Sequence, residues 1–344
     1  MIDRRDLLKA SIGIGASALM PWRESIGQTA PQLNLDPLIA AAKAEGEVVF
    51  YLSATEPIAK ALSDAFSAKY GIKTSFVRLS PAPMVQRFAA ESEGGNPATD
   101  LVWIGTSPAF NLAFGRDAVK RGWIESLPRS GLPVLQGGRF PARFLRENSA
   151  VVELGMWVIG YNTDRIKQAD VPKNWTETLD PKFRGQILIP DPLVSNAYIG
   201  FWGLLFETYG EEFFTKLRDL KPRFVPSAVP GTQALAAGEA ILALPTVTAL
   251  TASLKEKGAP VDRFIPDVTT STESEIFVVA RNRSKHPNAG RLLANFMMSE
   301  EGNKVINAVS GGIVSIYDTR SMPSGYKSPR ENIDNPTIKR LLGI

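Results

Sequence analysis

Cysteine is missing from all 344 residues. That one absence removes disulfides, thiolate nucleophiles, Cys-based zinc sites and a lipid-anchored N-terminal cysteine together. Histidine occurs once, as His286 in Lys285-His286-Pro287. A Ser-His hydrolytic pair therefore has a single candidate base, and a metal centre built from several histidines is impossible. With no acid or serine pattern marking it, His286 reads as a solvated loop residue. The sequence also lacks G-x-S-x-G, G-x-x-x-x-G-K-[ST] and H-E-x-x-H, so no nucleophile elbow, P-loop or zincin helix is indicated. Neither sign of charge dominates: the formal net charge is +4. Arg4, Arg5, Lys9 and Arg23 against Asp3, Asp6 and Glu24 give the first 30 residues +1, leaving +3 for the rest. No basic stripe with interleaved aromatics is present, which argues against a nucleic-acid partner; the mild surplus favours small anions. No internal repeat and no low-complexity segment is found.

Residues 1–30 carry the one stretch that reads as an address. Arg4-Arg5-Asp6-Leu7-Leu8-Lys9 resembles the twin-arginine pattern, and Ala10 to Met20 is a moderately apolar run rich in Gly and Ser. Ala16-Ser17-Ala18 offers an A-x-A cleavage site, with a cut nearer Ala30 as the alternative. The run is shorter than the ~20 apolar residues a membrane-spanning helix needs. Gly13 to Ala18 also matches the dinucleotide pattern G-x-G-x-x-A, but no strand precedes it. An exported, periplasmic protein is expected, by the twin-arginine or the general secretory route.

From Leu35 onward strand-like and helix-like stretches alternate, which implies largely parallel sheets with helices on their faces. Gly46–Leu52, Thr74–Leu79 and Asp100–Ile104 read as strands, each followed by an amphipathic helix. Residues 123–148 are rich in Pro, Gly and Arg and read as loops. Val151–Tyr161 is longer than a usual strand and reads as a segment passing between two domains; Glu275–Ala280 is a second crossing candidate. Gln186–Pro190 fits a buried parallel strand, stopped by Asp191-Pro192. Ser195-Asn196 then reads as the cap of a helix whose Tyr198, Ile199, Trp202, Leu205, Phe206 and Tyr209 share one face. Gly231-Thr232 opens a short helix, Ala240–Leu244 is a strand, and Pro245 to Thr248 opens another helix.

Polar turns thus recur after strands and before helices: Ser53 and Thr55, Ser80, Thr106 and Ser107, Ser195 and Asn196, Thr246 and Thr248, with Thr232 a further candidate. In an open α/β sheet, ligands bind at the carboxyl ends of strands. Helix N-termini there present free N–H groups and partial positive charge. Each turn is equally an ordinary helix cap. Asp191 and Tyr198 border the turn at Ser195, Trp157 is a candidate cleft floor, and Glu275 a candidate partner for an amino group. Arg78 could add a positive charge.

Several stretches resemble the periplasmic solute-binding proteins of ABC importers, in the family 1 branch that contains the ferric-ion and phosphonate binders: AAKAEGEVVFYLS (41–53), ATDLVWIG (98–105), NWTETLDPKFRGQILIPDP (174–192), LAAGEAILAL (235–244) and HPNAGRLLANFMMSEEGNKVI (286–306). The resemblance implies a two-lobed type II periplasmic binding protein fold. Each lobe would be a mixed sheet with helices on both faces, and the ligand cleft would lie between lobes. The first lobe would hold 31–148 plus 266–312, the second 149–265 plus 313–344. It further implies a protein that is not an enzyme and delivers its ligand to a permease in the inner membrane; a monomer without cofactor is expected, and the hydroxyl-bearing helix N-termini point to a small anionic or polar solute as that ligand. A sensor subunit handing its bound form to a signalling receptor, a ferric-ion binder, and a hydrolase built on Ser195 or Ser107 are the alternatives. Iron-binding relatives place a His after the first strand, a Glu after the third and adjacent tyrosines in the later turn. Here those positions hold Thr55, Gly105 and the Pro245 to Thr248 turn, and no Tyr-Tyr pair occurs. Ferric ion wants hard anionic oxygens, so iron is not expected.

Overall fold

The alternation of apolar runs and amphipathic stretches builds an α/β structure, seen here in a computed structural model that describes residues 34–313, 315–330 and 333–344. The export segment expected at 1–30 lies outside the described residues. The chain runs α1 (Asp36–Glu45), β1 (Glu47–Leu52), α2 (Glu56–Tyr70), β2 (Lys73–Arg78), α3 (Pro81–Glu93), β3 (Leu101–Thr106) and α4 (Pro108–Lys120). After loops and short 3-10 turns come β4 (Ala150–Asn162), β5 (Ile187–Pro190), α5 (Ala197–Asp219), β6 (Arg223–Val225), α6 (Ala228–Ala236), β7 (Leu242–Val247), α7 (Thr248–Glu256), β8 (Val261–Phe264) and β9 (Ser271–Val278). The last elements are α8 (Pro287–Met298), α9 (Glu300–Ser310) and α10 (Asn335–Leu342). No helix among the described residues is long and apolar enough to cross a membrane.

The strands follow the order β2-β1-β3-β9-β4-β7-β5-β6, with β8 also on β4. β1 is parallel to β2 and β3, whereas β9 is antiparallel to both β3 and β4. On the other side β5 is parallel to β6 and β7, and β4 is antiparallel to β7 and β8. Both halves are therefore mixed sheets, and β4 belongs to both. All 13 residues of β4 are buried. Its first half pairs with β9 and its second half, from Trp157, with β7 and β8. Val151–Tyr161 thus passes from one sheet to the other. The chain returns between Phe264 and Ser271, where Trp157 N–H donates to Thr270 O at 3.0 Å and Thr269 Oγ1 donates to Trp157 O at 2.7 Å. Glu275–Ala280, expected as a second crossing, instead lies inside the first sheet between β3 and β4. A purely apolar run cannot say which sheet flanks it.

Each sheet carries its own core. Phe50, Trp103, Ile276, Leu292 and Phe296 pack one face of the first sheet, and Tyr51, Phe88, Ile104 and Phe277 the other. Trp157, Trp175, Phe201, Trp202 and Phe214 centre the main core of the second. The tail contributes to both: Ile313 and Ile316 enter the first core, Ile338, Leu341 and Leu342 the second. The expected helix after Ser195 forms, but its axis breaks at Gly210 (φ 68°, ψ −170°), a conformation that only glycine adopts without strain. His286 is not a free loop residue. It sits at the N-terminus of α8 with Nδ1 3.0 Å from Asp100 Oδ2, and Asp100 also accepts from the Val49 and His286 N–H groups.

Candidate ligand-binding site

The carboxyl ends of β1, β2 and β3 point their turns to one side of the first sheet, and the helices that follow start there. Thr55, Ser80 and Ser107 occupy the cap positions of α2, α3 and α4, all in extended backbone. Only Ser107 spends its hydroxyl as a cap, accepting from Phe110 N–H at 3.3 Å. Ser80 is exposed. Ser53 Oγ accepts from Gly105 N–H at 2.8 Å, tying the end of β1 to the end of β3.

Thr106 and Glu275 are committed to a buried network. Thr106 Oγ1 donates to Asn111 Oδ1, Asn111 Nδ2 donates to Glu275 Oε1 at 3.1 Å, and Ser149 Oγ donates to the other Glu275 oxygen. Burial pushes the Glu275 carboxyl above its ordinary range, against the lowering effect of Ser149 and Asn111. Glu275 and Asn111 line a cavity of about 210 Å³ beside α4, inside the first half of the molecule.

On the second sheet Asp191 Oδ1 accepts from Leu193 N–H at 2.9 Å, and Ser195 Oγ accepts from Ala197 N–H at 3.3 Å. Asn196 holds the cap position of α5 without a side-chain cap bond. Tyr198 and Trp157 face each other with ring centroids 5.1 Å apart and belong to the second core. Burial raises the Tyr198 hydroxyl well above its usual range. Two expected turns are displaced. α6 begins at Ala228, so Thr232 lies within the helix, where Oγ1 donates to Ala228 O at 2.7 Å. Pro230 is tolerated because it falls in the first turn, where N–H groups have no partner anyway. β7 continues through Pro245 to Val247, so Thr246 is a strand residue. The register slips between the Val158 and Gly160 pairs, a bulge of the kind that accommodates a proline in a strand. Thr246 Oγ1 then lies 2.8 Å from Thr232 Oγ1. Thr248, fully buried, starts α7, and its hydroxyl has no partner among the described residues.

Two of these residues, one from each half, meet at a single opening. Thr55, with Glu56 and Pro57 of α2 and Arg78 of β2, lines a cavity of about 230 Å³ opposite Thr232, Gln233, Ser253 and Lys257 of the second half. Arg78 Nε donates to Ala54 O at 3.0 Å, and neither Arg78 nor Lys257 has a salt bridge among the described residues. The sequence reading missed Gln233, Ser253 and Lys257. Leu250 and Leu254 of α7 and Lys257 just beyond it recur at helical spacing, a pattern that could have pointed there. A larger groove of about 980 Å³, between the 169–184 segment and the second part of α5, lies wholly on the second half. Among the described residues no group of three or more His, Asp or Glu side chains could hold a metal ion.

Comparison with known proteins agrees with this architecture. A protein of Haemophilus influenzae with no assigned function is 27% identical over 273 residues, covering 77% of this chain and 76% of that one. The periplasmic binding protein AfuA of Actinobacillus pleuropneumoniae, solved with exogenous fructose-6-phosphate, matches with TM-score 0.58 and 22% identity over 87% of this chain and 97% of that one. Iron-bound HitA of Pseudomonas aeruginosa matches with TM-score 0.54 and 22% identity over 76% and 83%. Residues 97–325 match the family described as bacterial extracellular solute-binding protein. With that match spanning most of the chain, the protein belongs to the family of bacterial extracellular solute-binding proteins.

Proposed function

We propose that this chain is the periplasmic receptor of an ABC importer and that it takes a small anionic organic solute, without iron, in the cleft between its two halves. The lobes proposed are 31–148 plus 266–312 and 149–265 plus 313–344, preceded by an export signal. The observation that carries the ligand class is the opening shared by Thr55, Arg78, Thr232 and Lys257. It brings two cationic side chains, neither in a salt bridge among the described residues, to the N-terminus of α2. One helix N-terminus stabilises an anion by about 0.3–1 kcal/mol, and hydrogen bonds to charged groups are worth about 1.5–3 kcal/mol each. Together these favour an anion without a metal, against the opposing charge of Glu56 at the same opening. AfuA holds a sugar phosphate, which is compatible with such a site; HitA holds iron, but the positions aligned with iron ligands here supply Thr55 and Gly105 in place of His and Glu.

The protein would bind, close and deliver to its permease without chemistry; the Ser107 and Ser195 hydroxyls accept backbone N–H groups. The test is native mass spectrometry of freshly purified protein, followed by a thermal-shift panel of organic acids, phosphate esters and sugars. A ligand that binds only the folded state raises the melting temperature with concentration. Shifts by anions that are lost in Arg78→Ala together with Lys257→Ala support the reading. Shifts by neutral sugars alone overturn it.

A further inference from the structure

The chain passes between the two halves once more after α9. The tail starts in the first core, with Ile313 and Ile316, and Arg143 Nη2 donates to Thr319 Oγ1 at 2.7 Å. It ends on the second half, where α10 puts Ile338, Leu341 and Leu342 into the second core. Between these anchors the tail is bonded to the 265–270 return segment and the start of β9. Ser324 Oγ and the Gly325 N–H both donate to Asp267 Oδ1, at 2.8 and 3.3 Å. Ser324 first, then Gly325, hold the exposed Asp267 carboxyl below its ordinary range. The Lys327 N–H donates to Thr269 O at 2.9 Å, and the Tyr326 and Ser271 hydroxyls lie 2.8 Å apart. The return segment is bonded in turn to β4 through Trp157. Tail, return segment and β4 are therefore tied one to the next where the halves join.

At one point the approach leaves no room for a side chain. A Cβ added at Gly325 would lie 2.9 Å from Asp267 O and 3.0 Å from Asp267 Oδ2. Further on, the tail is seated on α5: a Cβ at Gly200 would come 3.2 Å from Pro329 Cβ and 3.4 Å from Arg330 O. Glycine at both positions lets the tail lie directly on its neighbours.

We propose that residues 319–330 form a strap across the hinge, which limits how far the two halves turn about β4 and the return segment. A hinge concentrates its φ/ψ change in a few residues. The return segment can absorb such a change only by moving relative to what it is bonded to. Here that includes a tail whose two ends belong to different halves. Rotation of one half therefore strains the bonds between tail and return segment or breaks them. The strap favours the arrangement in which all of them are made, and a ligand that requires another must offset their loss. The inference is independent of the ligand class.

Because the chain has no cysteine, Lys60→Cys in α2 and Glu256→Cys at the end of α7 place one spin label on each half, both at exposed positions. Double electron–electron resonance on the protein without added ligand should give one narrow distance distribution. Asp267→Ala combined with Tyr326→Phe removes the bonds made by both side chains and should widen it at least twofold. Gly325→Val, which pushes the tail off the return segment without deleting a polar group, should do the same. Asp267→Ala alone and Tyr326→Phe alone should each give an intermediate width, and they decide the matter if the other variants do not fold. Glu211→Ala breaks an exposed ion pair to Arg340 between α5 and α10, away from the hinge, and should leave the width unchanged. Distributions in the single variants that superimpose on the parent overturn the strap. Equal widening by Glu211→Ala also overturns it, by making the tail a general stabiliser.

Discussion

Glu153→Gln isolates the energetic role of the buried carboxyl in β4. Its folded-state value of about 7 lies above the ordinary 4.5, with burial as the cause. Between these two values the folded protein holds a proton that the unfolded chain has released. Stability must therefore fall as pH rises through this window, and the penalty is complete above about pH 7. One pH unit of displacement corresponds to about 1.4 kcal/mol, so the full penalty is about 3 kcal/mol. The amide keeps the shape and the bond to Ser274 but has no charge to desolvate. Wild type and variant should accordingly have nearly equal stability at pH 4.5, and the variant should be the more stable by about 3 kcal/mol at pH 8. Urea denaturation at the two pH values measures this as a midpoint shift at constant slope. Midpoints that stay parallel from pH 4.5 to 8, or a variant weaker at pH 8, would refute the reasoning.

Glu125→Ala should cost about 3–5 kcal/mol, because Arg291 is only 4% exposed and loses its carboxylate partner; chemical denaturation checks this, and a loss under 1 kcal/mol contradicts it. Small-angle scattering should show compaction on adding a ligand identified by mass spectrometry, with β4 and the 265–270 return segment as the hinge; an unchanged radius of gyration at saturation would exclude closure. Ferric citrate titrated into the apo protein should give no visible charge-transfer band, and a strong band at one equivalent would overturn the exclusion of iron.

Much of the fold was legible because periodicity and burial coincide. Ile58, Leu62, Phe66 and Tyr70 share a helical face and are all buried; Val151–Tyr161 was too long for one sheet and serves two. Adjacency was not legible: nothing in EIFVVA tells that β9 inserts antiparallel between β3 and β4. Site residues were harder. A hydroxyl after a strand looks the same whether it caps a helix, as Ser107 does, joins a buried network, as Thr106 does, or lines an opening, as Thr55 does. These fates depend on partners distant in sequence. Thr232 and Thr246 depart from the expected helix starts because Pro230 sits within a first helical turn and Pro245 at a bulge. Glu153 did leave a signal, a lone acid inside an apolar run, where an unpaired charge is expensive.

The sharing of β4 has a bearing on how the chain matures during synthesis. The second sheet is assembled from a contiguous stretch, 150–264, while the first needs β9 to fill the place between β3 and β4. Until β9 emerges from the ribosome, β3 has one unpaired edge, and so does the leading half of β4. Exposed edges of this kind template pairing with other chains. The sheet that is begun first is therefore completed last, and the interval between synthesis of β3 and of β9 is when the nascent protein most needs protection from association.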